Sequence, residues 1–122
     1  MPLTSQQALN NHLARWDKSV RAYRDVRARA GAARADYEHA RGAFKVRTRH
    51  TDPKMTAGQL DDLADADDEI YDLHTKYRLA EAEVSSYVAR LEWMRAQGDA
   101  LRSEVSTERA EAQLYASDRS TP

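Results

Sequence analysis

The feature that most constrains this chain is a long stripe of apolar residues, repeated every three or four positions from Ile70 to Val105. Its members are Ile70, Leu73, Tyr77, Ala80, Val84, Tyr87, Leu91, Met94, Gly98, Leu101 and Val105. A repeat of 3.5 residues is typical of a long helix packed lengthwise against another helix. No proline interrupts the sequence between Pro53 and Pro122, although Gly98 marks a position where the helix could kink.

A matching stripe occupies the first third of the chain. It consists of Leu9, Leu13, Trp16, Val20, Tyr23, Val26, Ala30, Ala33, Tyr37, Ala40 and Phe44. This spacing predicts a first helix from about residue 5 to about residue 48, with Thr4 or Ser5 as its N-cap.

A loop is expected over about residues 49–56, because Pro53 cannot continue a helix. Thr56 and Gln59 have the spacing of a capping box, which predicts a second helix over about 57–116. We therefore expect a single all-α domain over residues 1–122, folded as a long antiparallel helical hairpin or coiled coil.

A second seam lies on the opposite side of the second helix, about 200° around it. It consists of Leu79, Ala82, Ser86, Ala89, Trp93, Ala96 and Ala100. The seam is either an alanine-rich solvent face or a surface covered by another subunit. We favour the second interpretation, which predicts a homo-oligomer whose interface includes Leu79, Ala82, Ala89, Trp93, Ala96 and Ala100. The end of the longer second helix, with Leu101, Val105 and Leu114, should also lack a partner within its own hairpin.

Charge is distributed unevenly along the chain. The formal net charge is only −1, yet residues 1–50 contain eleven Lys and Arg against four Asp and Glu. Residues 51–122 reverse this balance, with eight basic and sixteen acidic residues. Such complementary halves favour pairing of the two helices, or contacts between subunits.

Residues typical of catalysis are hard to find. The chain has no cysteine, and its four histidines are scattered, so we interpret them as surface residues. The acids between Asp61 and Asp72 lack the glycine and the alternating ligands of a calcium loop. No phosphate loop or nucleophile motif is present. We expect no enzyme, no cofactor and no metal site.

The sequence also gives no sign of a membrane protein. Its first residues lack the apolar core of a signal peptide, and no apolar run approaches the length of a membrane span. We therefore expect a cytoplasmic protein without membrane contact, in the host cell cytoplasm if a phage encodes it.

Four cations are concentrated where the two predicted helices meet. They are Lys45, Arg47, Arg49 and Lys54, with Phe44 and His50 nearby. A cluster of this kind could bind the backbone of single-stranded DNA. The alternative is that these cations pair with the acids of residues 61–72 and that Phe44 belongs to the core.

Short motifs resemble those of the UvsY family of phage recombination mediators. The segment Ala43-Phe44-Lys45-Val46-Arg47 resembles the family's A-[LF]-K-x-R motif, and residues 64–70 resemble the opening of its second long helix. Ala14-Arg15-Trp16 resembles the family's early x-K-W motif, and Ala100-Leu101-Arg102-Ser103 resembles its late A-[IL]-[KR]-S motif.

The resemblance implies a ring-like homo-oligomer that binds single-stranded DNA. It would contact the single-strand-binding protein and help to load a RecA-like recombinase. DNA binding by the K-x-R motif would fall to Lys45 and Arg47, and charge clustering adds Arg49 and Lys54. The alternative function is that of a structural or scaffolding coiled coil, for example in phage assembly, that binds only protein.

Overall fold

The computed structural model describes residues 4–120, with side chains as far as residue 118. Within that range the chain is all-α, as predicted, with 94% of residues in helices and no strand. Helix α1 spans Ser5–Thr51, α2 spans Ala57–Ala66 and α3 spans Asp68–Ser120. None of these three helices has an apolar stretch long enough to cross a lipid bilayer.

The start of α1 is fixed by a reciprocal pair of hydrogen bonds. The hydroxyl of Thr4 accepts from the backbone N–H of Gln7 at 3.1 Å, and the side chain of Gln7 accepts from the N–H of Thr4 at 3.0 Å. This is a capping box, so Thr4 rather than Ser5 is the cap. The helix ends at Thr51, slightly later than expected and two residues before Pro53.

Helix α2 begins as predicted. Thr56 is its N-cap, and both hydrogen bonds of the capping box with Gln59 are formed. Further along the chain the structure differs from our prediction. We expected one helix over residues 57–116, and the structure contains two, α2 and α3. Asp67 separates them in an extended conformation, with φ −73° and ψ 128°.

Asp67 ends one helix and begins the next. Its backbone N–H donates to the carbonyl of Ala64, and its carboxylate accepts from the N–H of Ile70 at 3.0 Å. An aspartate that caps a helix in this way competes with continuation of the preceding helix. The first turn of α3 then carries Asp68 and Glu69, which suit the positive end of a helix.

The described chain divides into two compact units, of which the first combines the residues up to Ala22 with those from Tyr87 onward. Its buried apolar residues include Leu9, Met94 and Val105. Ser5 also donates a hydrogen bond of 2.5 Å to the carboxylate of Glu108. These two segments therefore pack against each other along several helical turns.

The packing of this first unit corrects the expectation for the end of the long helix. We expected Leu101 and Val105 to lack a partner within their own chain. Val105 is instead buried and Leu101 is half-buried, whereas Leu114 is 67% exposed. Intrachain packing along α3 thus reaches the end of the apolar stripe at Val105, which the expected overhang had excluded.

His12 is also placed differently from our expectation. We interpreted all four histidines as surface residues, but His12 is only 2% exposed. Its imidazole lies against Gly98, which is itself buried and remains within the helical span of α3. The glycine therefore makes room for a ring.

The second unit comprises Tyr23–Ser86. Its buried apolar residues are Val26, Ala30, Leu60, Ala64 and Ile70. The rings of Tyr37 and His74 stack with centroids 4.6 Å apart, and Tyr77 extends this stack. Phe44, which lies on the first apolar stripe, is half-buried, in agreement with the alternative that it belongs to the core.

The long apolar stripe is the buried side of α3 in each unit. Every one of its eleven positions from Ile70 to Val105 is buried or half-buried. This confirms the 3.5-residue repeat as the signal for the packed face. Residues two positions away on the helix, including those of the second seam, are exposed.

Candidate nucleic-acid interface

The end of α1 and the turn after it carry the four cations predicted to bind DNA. In this region the hydroxyls of Thr48 and Thr51 donate to the carbonyls of Phe44 and Arg47, four residues earlier, so both hydroxyls are satisfied within the helix. The turn follows at Asp52, whose carboxylate accepts from the N–H of Lys54 at 3.2 Å. This local bond is typical of an aspartate that starts a turn.

Lys45 is paired with a carboxylate of its own chain. Its ammonium forms an ion pair with Asp61 at the start of α2. Arg41 donates to the same carboxylate at 3.2 Å and also forms an ion pair with Asp65. The structure therefore contains, for Lys45, the internal neutralisation that the sequence left open as an alternative.

These ion pairs have the expected effects on protonation. The hydrogen bond from Lys45 lowers the pKa of Asp61, with Arg41 contributing in the same direction. The hydrogen bond to Asp65 raises the pKa of Arg41. Asp61 is therefore an anion at neutral pH, and a phosphate would have to compete with it for Lys45.

The other three predicted cations are exposed. Across residues 4–120, Arg47, Arg49 and Lys54 make no ion pair within 4 Å. Their charge is therefore available to an external anion. Val46 lies beside them and is 71% exposed.

The four cations do not form one cluster. Lys45 and Arg49 are one helical turn apart and line a shallow groove of about 270 Å³ together with Asp61. Arg47 is two positions from Lys45, which places it about 200° around the helix. The two basic residues of the K-x-R motif thus point in different directions, and a strand contacting both would have to wrap around α1.

The predicted oligomer interface is exposed along its whole length. Leu79 and Ala82 lie in the second unit, and Ala89, Trp93, Ala96 and Ala100 lie in the first. Leu79 is 66% exposed and Trp93 is 62% exposed. These side chains are therefore accessible to a partner.

A basic groove in the first unit was not predicted from the sequence. It has a volume of about 470 Å³, and Arg15, Lys18, Arg90 and the exposed Trp93 contribute to its lining. Two spacings could have indicated it, because Arg15 and Lys18 are three residues apart, as are Arg90 and Trp93. No spacing along the chain indicated, however, that these two pairs would face each other.

No group of three or more histidine or acidic residues in the described part of the chain could hold a metal ion. Comparison with protein-family models, with curated proteins and with solved structures finds no match. The exposed charges and the exposed seam are therefore the features from which a function can be inferred.

Proposed function

We propose that this protein is a non-enzymatic, single-stranded DNA-binding protein that assembles into a homo-oligomer. The observation that carries the proposal is a set of three exposed cations, Arg47, Arg49 and Lys54, at the end of α1 and in the following turn, which make no ion pair within the part of the chain that the structure describes. The role of recombination mediator, which includes contact with a single-strand-binding protein and loading of a RecA-like recombinase, rests on the sequence resemblance alone.

The binding mechanism in this proposal is electrostatic. Cations that contact phosphates release the counterions condensed on the nucleic acid, so the affinity falls as salt concentration rises. Three exposed cations in one chain bind weakly. Several copies held in one assembly raise the effective concentration of these cations, which links assembly to DNA binding.

Self-association in this proposal uses the exposed seam of α3. We propose that each chain is an antiparallel helical hairpin, which agrees with the ion pairs between Arg41 and α2 and with the bond between Ser5 and Glu108. The buried stripe then faces the chain's own first helix. The seam residues, with Trp93 as the largest, remain for a second copy.

The DNA-binding part can be tested with a labelled single-stranded oligonucleotide and fluorescence anisotropy at several salt concentrations. Arg47→Ala with Arg49→Ala should weaken binding and reduce the slope of log affinity against log salt by about 0.7 for each phosphate that the protein no longer neutralises. Arg21→Ala with Arg34→Ala is the matched control, because both of those arginines are exposed and already paired within α1. Equally weakened binding in the two double variants would show that only net charge matters. No binding by the wild type at low salt would rule out the DNA role.

A second candidate function is that of a scaffold that binds only protein. The ion pair of Lys45 with Asp61 favours it, because it removes one of the two motif cations from the exposed set. Asp61→Asn separates the two functions. If the end of α1 binds DNA, this substitution should increase affinity several-fold and steepen the salt slope, since Lys45 becomes free for one more phosphate. A scaffold protein would self-associate and would not bind the oligonucleotide, either as the wild type or as the Asp61→Asn variant.

A further inference from the structure

Among the described residues, the lining of the basic groove in the first unit contains three cations. Arg15, Lys18 and Arg90 line it, and no carboxylate does. Nor does any of the three make an ion pair within 4 Å across the described residues. An indole that is 62% exposed, that of Trp93, borders the same groove. Concentrated like charge beside an exposed aromatic ring marks a surface suited to an acidic, partly apolar partner.

A surface with the opposite properties lies where α2 and α3 meet. Asp68 and Asp72 are exposed one helical turn apart on α3, and neither makes an ion pair within 4 Å in the described chain. Tyr71 lies between them and is 64% exposed, while Leu63 on α2 is 43% exposed. The positive end of α3 accounts for an acid at position 68. It does not account for Asp72, which is one turn further along, or for the exposed tyrosine.

We propose that the basic groove of one copy binds the acidic surface of a second copy, formed by Asp68, Tyr71 and Asp72. This inference rests on the self-association in the proposed function, and it names the segment that covers Trp93. The two surfaces carry charge of opposite sign, and each presents an exposed aromatic side chain, Trp93 on the groove and Tyr71 on the acidic surface. A pairing of this kind fixes the orientation of the partner as well as its identity.

A second copy fits these observations better than a nucleic acid strand does. A strand would account for Arg15, Lys18 and Arg90, but it would leave the acidic surface and its tyrosine unexplained. Ala89, Ala96 and Ala100 also flank Trp93 on the same side of α3 and are exposed. Small residues at such positions allow the backbone of another helix to approach closely, which a flexible strand does not require.

The pairing of two unlike surfaces determines the form of the assembly. The groove and the acidic surface are different patches, so each copy offers one of each and the interface is heterologous. Repeated copies then form a closed ring or an open chain, rather than a dimer related by a two-fold axis. In either form the cations at the end of α1 recur once per subunit.

Two charge-reversed variants test this inference. The groove variant carries Arg15→Glu and Arg90→Glu, and the surface variant carries Asp68→Lys and Asp72→Lys. Neither should self-associate, because each opposes like charges, and the dissociation constant should rise on the order of 100-fold or more. An equimolar mixture should assemble again with the two variants alternating, since the acidic groove of one variant now meets the basic surface of the other and the unchanged groove meets the unchanged surface. Asp25→Lys with Asp36→Lys is the matched control, since both aspartates are exposed and make no ion pair in the described chain.

Native mass spectrometry and light scattering measure the mass of each variant and of the mixture, and far-UV circular dichroism checks that each variant is helical. Recovery of mass on mixing supports the inference even if one variant is less stable alone. Wild-type mass in either variant, or a mixture that stays single-chain, would overturn it.

Oligonucleotide binding is measured on the same samples. If the groove variant keeps its mass and loses DNA binding, the groove is a nucleic-acid site instead. If assembly behaves as expected and no sample binds DNA, the inference stands and the DNA role fails.

Discussion

The imidazole of His12 lies in tight contact with the position that a Cβ at residue 98 would take. A Cβ added to Gly98 would lie 3.0 Å from Nε2 of His12 and 3.2 Å from its Cδ2. Both residues are buried in the first unit, one on α1 and the other on α3. Glycine is normally unfavourable within a long helix, but at position 98 the absence of a side chain allows the two helical segments to approach closely.

This relationship predicts opposite results for two glycine-to-alanine substitutions. Gly31→Ala meets no atom within 4 Å, so it should raise the free energy of unfolding by about 0.5–1 kcal/mol through helix propensity. Gly98→Ala gains the same propensity but displaces a buried ring, and overpacking of this kind costs roughly 1–3 kcal/mol. We expect it to be less stable than the wild type in urea unfolding.

A double variant tests the cause assigned to the second result. Adding His12→Ala to Gly98→Ala should cost less than the sum of the two single substitutions, because the second change removes the ring that the new methyl group would displace. Additive effects would show that His12 is not responsible. A Gly98→Ala variant as stable as Gly31→Ala would contradict the close approach itself.

The junction at Asp67 gives a second prediction. Asp67→Ala removes the carboxylate that caps α3, and loss of such a cap costs about 1 kcal/mol on average. The helical signal should not fall, because alanine is a strong helix former and allows α2 to continue into α3. Asp67→Asn is the control, since asparagine caps helices about as well. Urea unfolding followed by circular dichroism measures both, and an equal decrease in stability in the two variants would exclude the cap as the cause.

The ion pairs around Asp61 predict how stability responds to acid. Because the pKa of Asp61 is lowered in the folded protein, its contribution is present above the ordinary carboxylate pKa and is lost as pH falls through the folded value. The urea midpoint should therefore decrease in this acidic range, and Asp61→Asn should remove part of the decrease. Asp36→Asn, which alters an exposed aspartate outside any ion pair in the described chain, should leave the profile unchanged. Identical profiles for the wild type and Asp61→Asn would contradict the role of this pair.

The sequence predicted the features that depend on neighbours along the chain. Spacing alone identified Val26, Ile70 and Met94 as buried, and the pair Thr56 and Gln59 identified the start of α2. These predictions succeeded because a helix converts a repeat of three and four residues directly into one face.

The features that were missed depend on residues far apart or on a choice between two local structures. The burial of His12 requires a glycine on another helix, and the pairing of Lys45 requires that the fold bring Asp61 close. Spacing within one helix carries neither kind of information. The break at Asp67 was missed for a different reason, because a run of acids is compatible both with a continuous helix and with the start of a new one.

The exposed seam provides the final prediction, which concerns assembly. Trp93→Glu places a charge where we propose that a second copy covers the indole, so the mass in solution should fall while helicity is kept. Val46→Glu is the control, because it introduces the same charge at an apolar residue that is 71% exposed and lies outside the seam. Sedimentation velocity over a range of concentrations measures the mass of each. A Trp93→Glu variant that matches the wild type at every concentration would show that the seam is only a solvent-facing surface. A decrease in mass shared by both variants would show that added negative charge, rather than removal of the indole, causes dissociation.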